Sequence, residues 1–344
     1  MEIDIAVRTL FAEFQEAVFR RFELEHPPDE SGTFVSKTLK GKKYWYGQRY
    51  VDGKMVQKYH APSTPQNDHD IFNIRKDRQG KKILLRKLLA DEQNRAAMLK
   101  RGGLPILDPL TSSVLKALSD ALLIYKGGVL VGSYAFWAYA GMLGQRFEGG
   151  LLKTLDIDMA FDPLVAMPLE VPVSLLKLLK SVDEHFREVP GFLPKYSPHS
   201  YIGLHGLRVD VLAPLRGKHR GSVRLEKIIG AAAEPVRFLD FLMKKSVSAV
   251  LIGPGGGIPV TVPHPARYAV HKLIVAARRP VTESSKRAKD IAQAGTLIDI
   301  CLKEEPAELK NAFREAQKEG KKWRAYLLQS LKRLPTETQA ALSV

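Results

Sequence analysis

The sequence predicts an α+β fold: a mixed sheet with flanking helices, preceded by a basic helix and β-hairpin module and followed by a helical C-terminal module. Three observations carry this reading. Hydrophobic residues make up 45% of the 344 positions and charged residues 26%, the balance of a globular chain rather than a disordered one. From Gly127 to Val262 short apolar runs alternate with helical periodicity, and after Pro265 only the helical period remains. The positive charge is concentrated ahead of both: residues 36–101 hold 17 Lys and Arg against 6 Asp and Glu, in a chain of formal net charge +16. The divisions expected are 1–105, 106–262 and 263–344.

Each element has its own signal. Residues 3–24 place Ile5, Leu10, Phe11, Phe14, Val18 and Phe19 near helical spacing, and His26-Pro27-Pro28 ends the helix. The runs 44–51 and 55–60 flank Asp52-Gly53, a two-residue hairpin signal. Residues 61–65, Ala-Pro-Ser-Thr-Pro, read as a linker. A long basic helix is expected over 68–99, with Gly80 as its break point, and a second helix over 110–125 after Pro109. Residues 127–132 read as a strand, followed by Ser133 and the apolar run 134–143. Residues 155–161 read as another strand, and 175–186 as a helix with Ser174 at its N-cap. Strands 201–204 and 207–212 are joined at His205-Gly206, and strands 247–252 and 258–262 enclose Gly253-Pro254-Gly255-Gly256-Gly257. Helices are expected over 267–278, 284–302, 306–319 and 322–334.

Composition excludes several classes. One cysteine, Cys301, rules out a disulfide framework, and no run approaches the ~20 apolar residues of a membrane span. The acidic start Met1-Glu2-Ile3-Asp4 lacks the basic region of a secretory signal, so a reducing, cytoplasmic setting is expected and no membrane partner. His199, His205, His219, His264 and His271 form no metal spacing with Cys301, and no Gly-Lys-Ser/Thr follows the 253–257 glycines to make a phosphate loop. That glycine run reads as a flexible hairpin turn or a substrate-side loop. Asp162, ahead of Pro163, reads as a turn cap.

The basic segment interleaves cations and aromatics. Lys40, Lys42, Lys43, Tyr44, Trp45, Tyr46 and Arg49 lie together, a pattern in which lysines hold phosphates while rings stack bases. The same aromatics also serve to pack a hairpin. A nucleic-acid partner, RNA, is the expectation.

The chemistry points to Leu155-Asp156-Ile157-Asp158-Met159. Side chains alternate along a strand, so Asp156 and Asp158 share a face about 7 Å apart. Two carboxylates in an apolar strand repel and lose hydration, a cost that a hard divalent cation such as Mg²⁺ relieves. Upstream stands strand–Gly132-Ser133–helix, where amides and a hydroxyl can approach phosphate; the plainer reading is a turn with an N-cap serine. Downstream, Arg208-Val209-Asp210-Val211 supplies a third carboxylate on a polar strand face.

These three elements in this order resemble the nucleotidyltransferase superfamily typified by DNA polymerase β. The residues matched are Val131-Gly132-Ser133, Leu155-Asp156-Ile157-Asp158-Met159 and Val209-Asp210-Val211. The 22 residues between Ser133 and Asp156 exceed the usual spacing, and the extra length carries Gly141, Gly144, Gly149 and Gly150. With the run 133–141 and Lys153-Thr154 ahead of the paired acids, the chain looks like a bacterial family of nucleotidyltransferase-fold proteins.

The resemblance implies a polymerase β-like sheet and two-metal transfer of NMP from an NTP, with Mg²⁺ or Mn²⁺ on Asp156, Asp158 and Asp210. It implies Gly132 and Ser133 on the phosphates, and Lys272 or Lys289, in the pattern His271-Lys272 … Lys286-Arg287-Ala288-Lys289-Asp290, reaching the triphosphate. Surface lysines with an Asp290 ion pair are the competing reading of those two. The expected acceptor is an RNA hydroxyl, tRNA-like. Two alternatives stay open: a protein or small-molecule acceptor, and a non-catalytic nucleic-acid-binding or toxin–antitoxin-type protein that keeps the fold.

Overall fold

The computed structural model describes residues 1–26, 33–51, 54–152, 154–167, 174–190, 198–217 and 222–342. Pro27, Pro28, the Asp52-Gly53 turn, Lys153, His219 and the Arg49 side chain fall outside the described residues.

The N-terminal part is two helices and a small sheet. Helix α1 spans Ile5–Glu25, strands β1, β2 and β3 span Thr33–Leu39, Lys42–Val51 and Lys54–Pro62, and helix α2 spans Pro65–Arg101. The pairing of β2 with β3 is the expected hairpin, but β1 is an added strand, antiparallel to β2. Its turn is Lys40-Gly41, with φ of 49° and 75°. Two successive left-handed residues make the tight primed turn that matches strand twist. The expected linker is shorter than 61–65: Thr64 caps α2 by accepting from the Asn67 amide at 3.2 Å, with Pro65 in the first turn. No break occurs at Gly80. The helix runs 37 residues, about 55 Å at 1.5 Å per residue.

The two ends of α2 are anchored differently. Near its start Ile71 joins Phe34 and Trp45 in a small separate apolar cluster. Near its end Ala96 and Leu99 enter the main core with Phe11, Phe14 and Val18 of α1.

The central sheet follows. Helix α3 covers Pro109–Asp120, shorter than the expected 110–125 because Leu122 takes φ 60° in the turn after it. Next come β4 (Gly128–Val131), α4 (Gly132–Met142), α5 (Gly149–Leu152), β5 (Asp156–Phe161), α6 (Leu175–Val182), β6 (Arg187–Glu188), β7 (Ser200–Ile202) and β8 (Arg208–Pro214). Phe186 lies beyond α6, and Leu204 belongs to a 3₁₀ turn rather than to β7. Then come β9 (Val223–Arg224), α7 (Glu226–Ile229), β10 (Ala232–Val236) and α8 (Leu239–Met243), which the sequence reading left unassigned. The sheet order is β4-β5-β8-β10-β9, with β7 pairing β8 and β6. Strands β5 and β8 are parallel, while β4 is antiparallel to β5.

The long Gly-rich stretch after Ser133 is filled by the body of α4 and by α5. Trp137 Nε1 donates to the Leu152 carbonyl at 2.6 Å and holds the two together.

Strands β11 (Ser246–Gly253) and β12 (Gly256–Pro263) form the expected hairpin, which packs on β4, α1 and α2. Of the two readings of the glycine run the hairpin turn is the one that forms, with Gly253 and Gly257 serving close packing. A Cβ at Gly257 would lie 2.0 Å from Val18 Cγ2, and one at Gly253 2.2 Å from Ser112 Oγ. Helices α9 (Pro265–Arg278), α10 (Ser284–Glu304), α11 (Pro306–Lys318), α12 (Lys321–Leu331) and α13 (Thr336–Leu342) complete the chain, with α9 buried at the centre of the bundle.

Candidate active site

The site forms where β4 turns into α4 beside the start of β5 and β8. Gly132 has φ +64°, in the left-handed region, and a Cβ there would stand 2.0 Å from Asp158 Oδ2. Both facts demand glycine. Val131 is the N-cap of α4 and no side chain caps the helix, so Ser133 is not the N-cap serine of the plainer reading. Its Oγ accepts from Lys289 Nζ at 3.1 Å.

Strand β5 places Asp156 and Asp158 on the face opposite Ile157 and Met159, which are buried. In the parallel ladder Asp158 stands beside Asp210, and Asp156 beside Arg208. Neighbouring strands lie about 4.8 Å apart. All three predicted acids therefore meet on one face of two adjacent strands. The other face is apolar: Met159, Phe161, Val209 and Val211 meet Leu118, Leu123 and Leu175.

The electrostatics follow from this crowding. Asp158 is pushed up to about 7, first by burial, then by the charges of Asp210 and Asp156. Lys272 and Arg208 oppose the shift and lose. Arg208 Nε donates to Asp210 Oδ1 at 2.9 Å and to Ser200 Oγ at 2.8 Å. Among the described residues no group of three or more His, Cys, Asp or Glu side chains closes into a metal-holding cluster. At Asp210 the guanidinium supplies the positive charge.

The two lysines have different surroundings. Lys272 Nζ donates to Asp290 Oδ1 at 2.7 Å, and both side chains are largely buried, 12% and 3% exposed. Arg279 takes the other Asp290 oxygen at 2.6 Å. Lys272 is thus an ion-paired lysine, as the competing reading had it, but an interior one. Lys289 reaches the Gly132-Ser133 turn directly. Burial and the neighbouring Lys272 lower its pKa, against the pull of Asp290 and Asp156.

Tyr268 was missed in the sequence. Its hydroxyl lies 2.8 Å from the Gly132 carbonyl and 3.1 Å from Gln293 Oε1, so α9 and α10 steady the turn. A tyrosine three residues into a helix carries no signal for this; its ring is brought there against Phe136 and Tyr139 of α4. Asp162 does cap its turn, accepting from the Leu164 amide at 3.0 Å, and is held by Arg216.

The mixed sheet with flanking helices is consistent with an α+β nucleotidyltransferase fold. A family model described as Nucleotidyltransferase matches residues 110–318, and the chain belongs to that family. The match runs from the start of α3 to the end of α11 and contains every residue named in the site. No curated protein and no solved structure matches the chain.

Proposed function

We propose that this nucleotidyltransferase moves NMP from an NTP to a hydroxyl of RNA, with Mg²⁺ as its cofactor. The observation that carries the proposal is the placing of Asp156, Asp158 and Asp210 on one sheet face, with Asp158 against Gly132. Asp156 and Asp158, the latter raised to about 7 by burial and the neighbouring carboxylates, are oxygen donors of the kind a hard divalent cation takes, and Asp210, now turned to Arg208, would join them on leaving that contact. Bound there, Mg²⁺ would lower the pKa of the attacking hydroxyl and neutralise the departing pyrophosphate.

The chain's own residues do the rest. Asp156 and Asp158 would hold the cation. Asp210, which accepts from Arg208 in this structure, would complete its ligands and take the proton of the attacking hydroxyl. The hydroxyl oxygen bonds to the α-phosphorus as the bond to the bridging oxygen breaks, and pyrophosphate leaves. Ser133, the amides at the start of α4 and Lys289 orient the β- and γ-phosphates. Lys272, anchored by Asp290, keeps positive charge near Asp158. RNA as acceptor is supported by the basic residues 36–101, which attract a phosphate chain.

The test is incubation with each α-labelled NTP, Mg²⁺ and total cellular RNA, beside Asp156→Ala/Asp158→Ala. Label on a discrete RNA, from the wild type alone, is the result expected. Label on a protein or small molecule overturns the RNA acceptor. No label on any fraction, or equal label from the double variant, overturns the assignment.

A further inference from the structure

The three-stranded sheet β1-β2-β3 has two unlike faces. One face is packed. Trp45 and Phe34 lie on α2, Trp45 Nε1 donates to Asp68 Oδ1 at 2.6 Å, and the Arg75 guanidinium sits 5.0 Å from the Trp45 ring centre. Trp45, grouped in sequence with the RNA-binding rings, is therefore a core residue, 7% exposed.

The other face carries three tyrosines. The ladder sets Lys37 beside Tyr44, Tyr46 beside Tyr59, and Gln48 beside Gln57. The Tyr46 and Tyr59 rings meet edge to face at 5.9 Å, and Tyr44 lies 6.2 Å from Tyr59. Lys37 Nζ stands 5.2 Å above the Tyr46 ring. Tyr59 is 53% exposed, and Tyr44 and Tyr46 are half-buried beside it.

We infer that this face is a stacking platform for single-stranded RNA, with Tyr44, Tyr46 and Tyr59 as the base-stacking rings and Lys37 as a phosphate contact. The occupant follows from the chemistry. The strands contain no Asp or Glu, yet carry Lys37, Lys42, Lys43 and Lys58, so the partner is an anion. Clustered tyrosine rings, tilted to one another and flanked by glutamines, suit the faces of unpaired bases and not a lipid surface or an aliphatic helix. A duplex hides its base faces and offers only phosphates. The platform stands at the far end of α2 from the main core, and the basic residues Lys76, Lys81, Lys82, Arg86 and Lys87 of that helix are exposed between the two. The inference rests on RNA being the acceptor.

Binding is measured with the full chain carrying Asp156→Ala/Asp158→Ala, so that no transfer intervenes. The probe is a fluorescein-labelled, unstructured oligoribonucleotide of about twelve nucleotides, read by anisotropy. Replacing all three tyrosines by Leu is expected to weaken binding at least about tenfold, while replacement by Phe holds it within about twofold, because stacking needs the ring and not the hydroxyl. The same RNA paired into a duplex binds all versions alike. A Leu variant that binds as tightly as its parent overturns the platform, and so does a Phe variant as weak as the Leu one.

A second measurement needs no tyrosine variant: photo-crosslinking of 5-bromouridine RNA to the same protein. Adducts on Tyr44, Tyr46 or Tyr59 are expected, and adducts confined to other segments overturn the inference. Label transfer to RNA without tyrosine dependence leaves the transferase reading standing and removes the platform. Tyrosine-dependent binding without any transfer does the reverse.

Discussion

Gly132 is where backbone and chemistry meet most tightly. Gly132→Ala adds left-handed strain of about 1–2 kcal/mol, and its Cβ falls on the Asp158 carboxylate. The variant is expected to lose NTP transfer while its melting temperature drops only modestly, measured by calorimetry beside the labelling assay. Asp158 makes a second residue-scale statement, about pH. Its folded pKa, about 7, lies above the ordinary 3.8, so the folded protein holds the proton more tightly. Below 3.8 both states are protonated, and above about 7 both are ionised. Between those limits stability of the metal-free protein falls as pH rises, by at most about 1.4 kcal/mol per pH unit. Asp158→Asn is expected to flatten that slope in urea unfolding across the window, and to exceed the wild type in stability above pH 7.

At the scale of elements, α1, α2 and β12 are joined by one buried group. Arg21 Nε donates to Glu92 Oε1 at 2.8 Å and Nη2 to the Gly257 carbonyl at 2.8 Å, while Glu92 Oε2 accepts from the Gly257 amide at 3.1 Å. Arg21→Met strands Glu92 in the interior and is expected to cost about 3–5 kcal/mol in denaturant unfolding, partly recovered by adding Glu92→Leu. In contrast, Gly80 sits exposed in mid-helix with nothing within 4 Å of an added Cβ. Gly80→Ala is expected to stabilise by about 0.5–1 kcal/mol, seen as a raised melting temperature. The sequence reading misjudged this glycine because propensity is weak beside 37 residues anchored at both ends. It missed β1 because Lys40-Gly41 is not the Asn-Gly or Asp-Gly expected of such a turn, although a left-handed lysine served. The paired acids were legible because strand alternation depends only on spacing. The Arg208 clamp on Asp210 and the Tyr268 contact with Gly132 were not, since each joins side chains brought together only by the packed sheet and helices.

For the whole molecule, the family match covers the sheet and most of the bundle, while α1, the small sheet and α2 lie outside it. The family match and the densest basic segment, residues 36–101, thus fall in different parts of the fold, joined through the core that α1 and the end of α2 share with β12. The central claim is that Asp156, Asp158 and Asp210 form one cation site beneath the phosphate-binding turn. Titration of the full chain with Mn²⁺, followed by electron paramagnetic resonance with and without a non-hydrolysable NTP, tests it most directly. The account predicts Mn²⁺ binding that tightens when the nucleotide is present, that Mg²⁺ displaces, and that Asp158→Asn abolishes with the fold intact. Mn²⁺ and nucleotide binding unchanged in Asp158→Asn would contradict it.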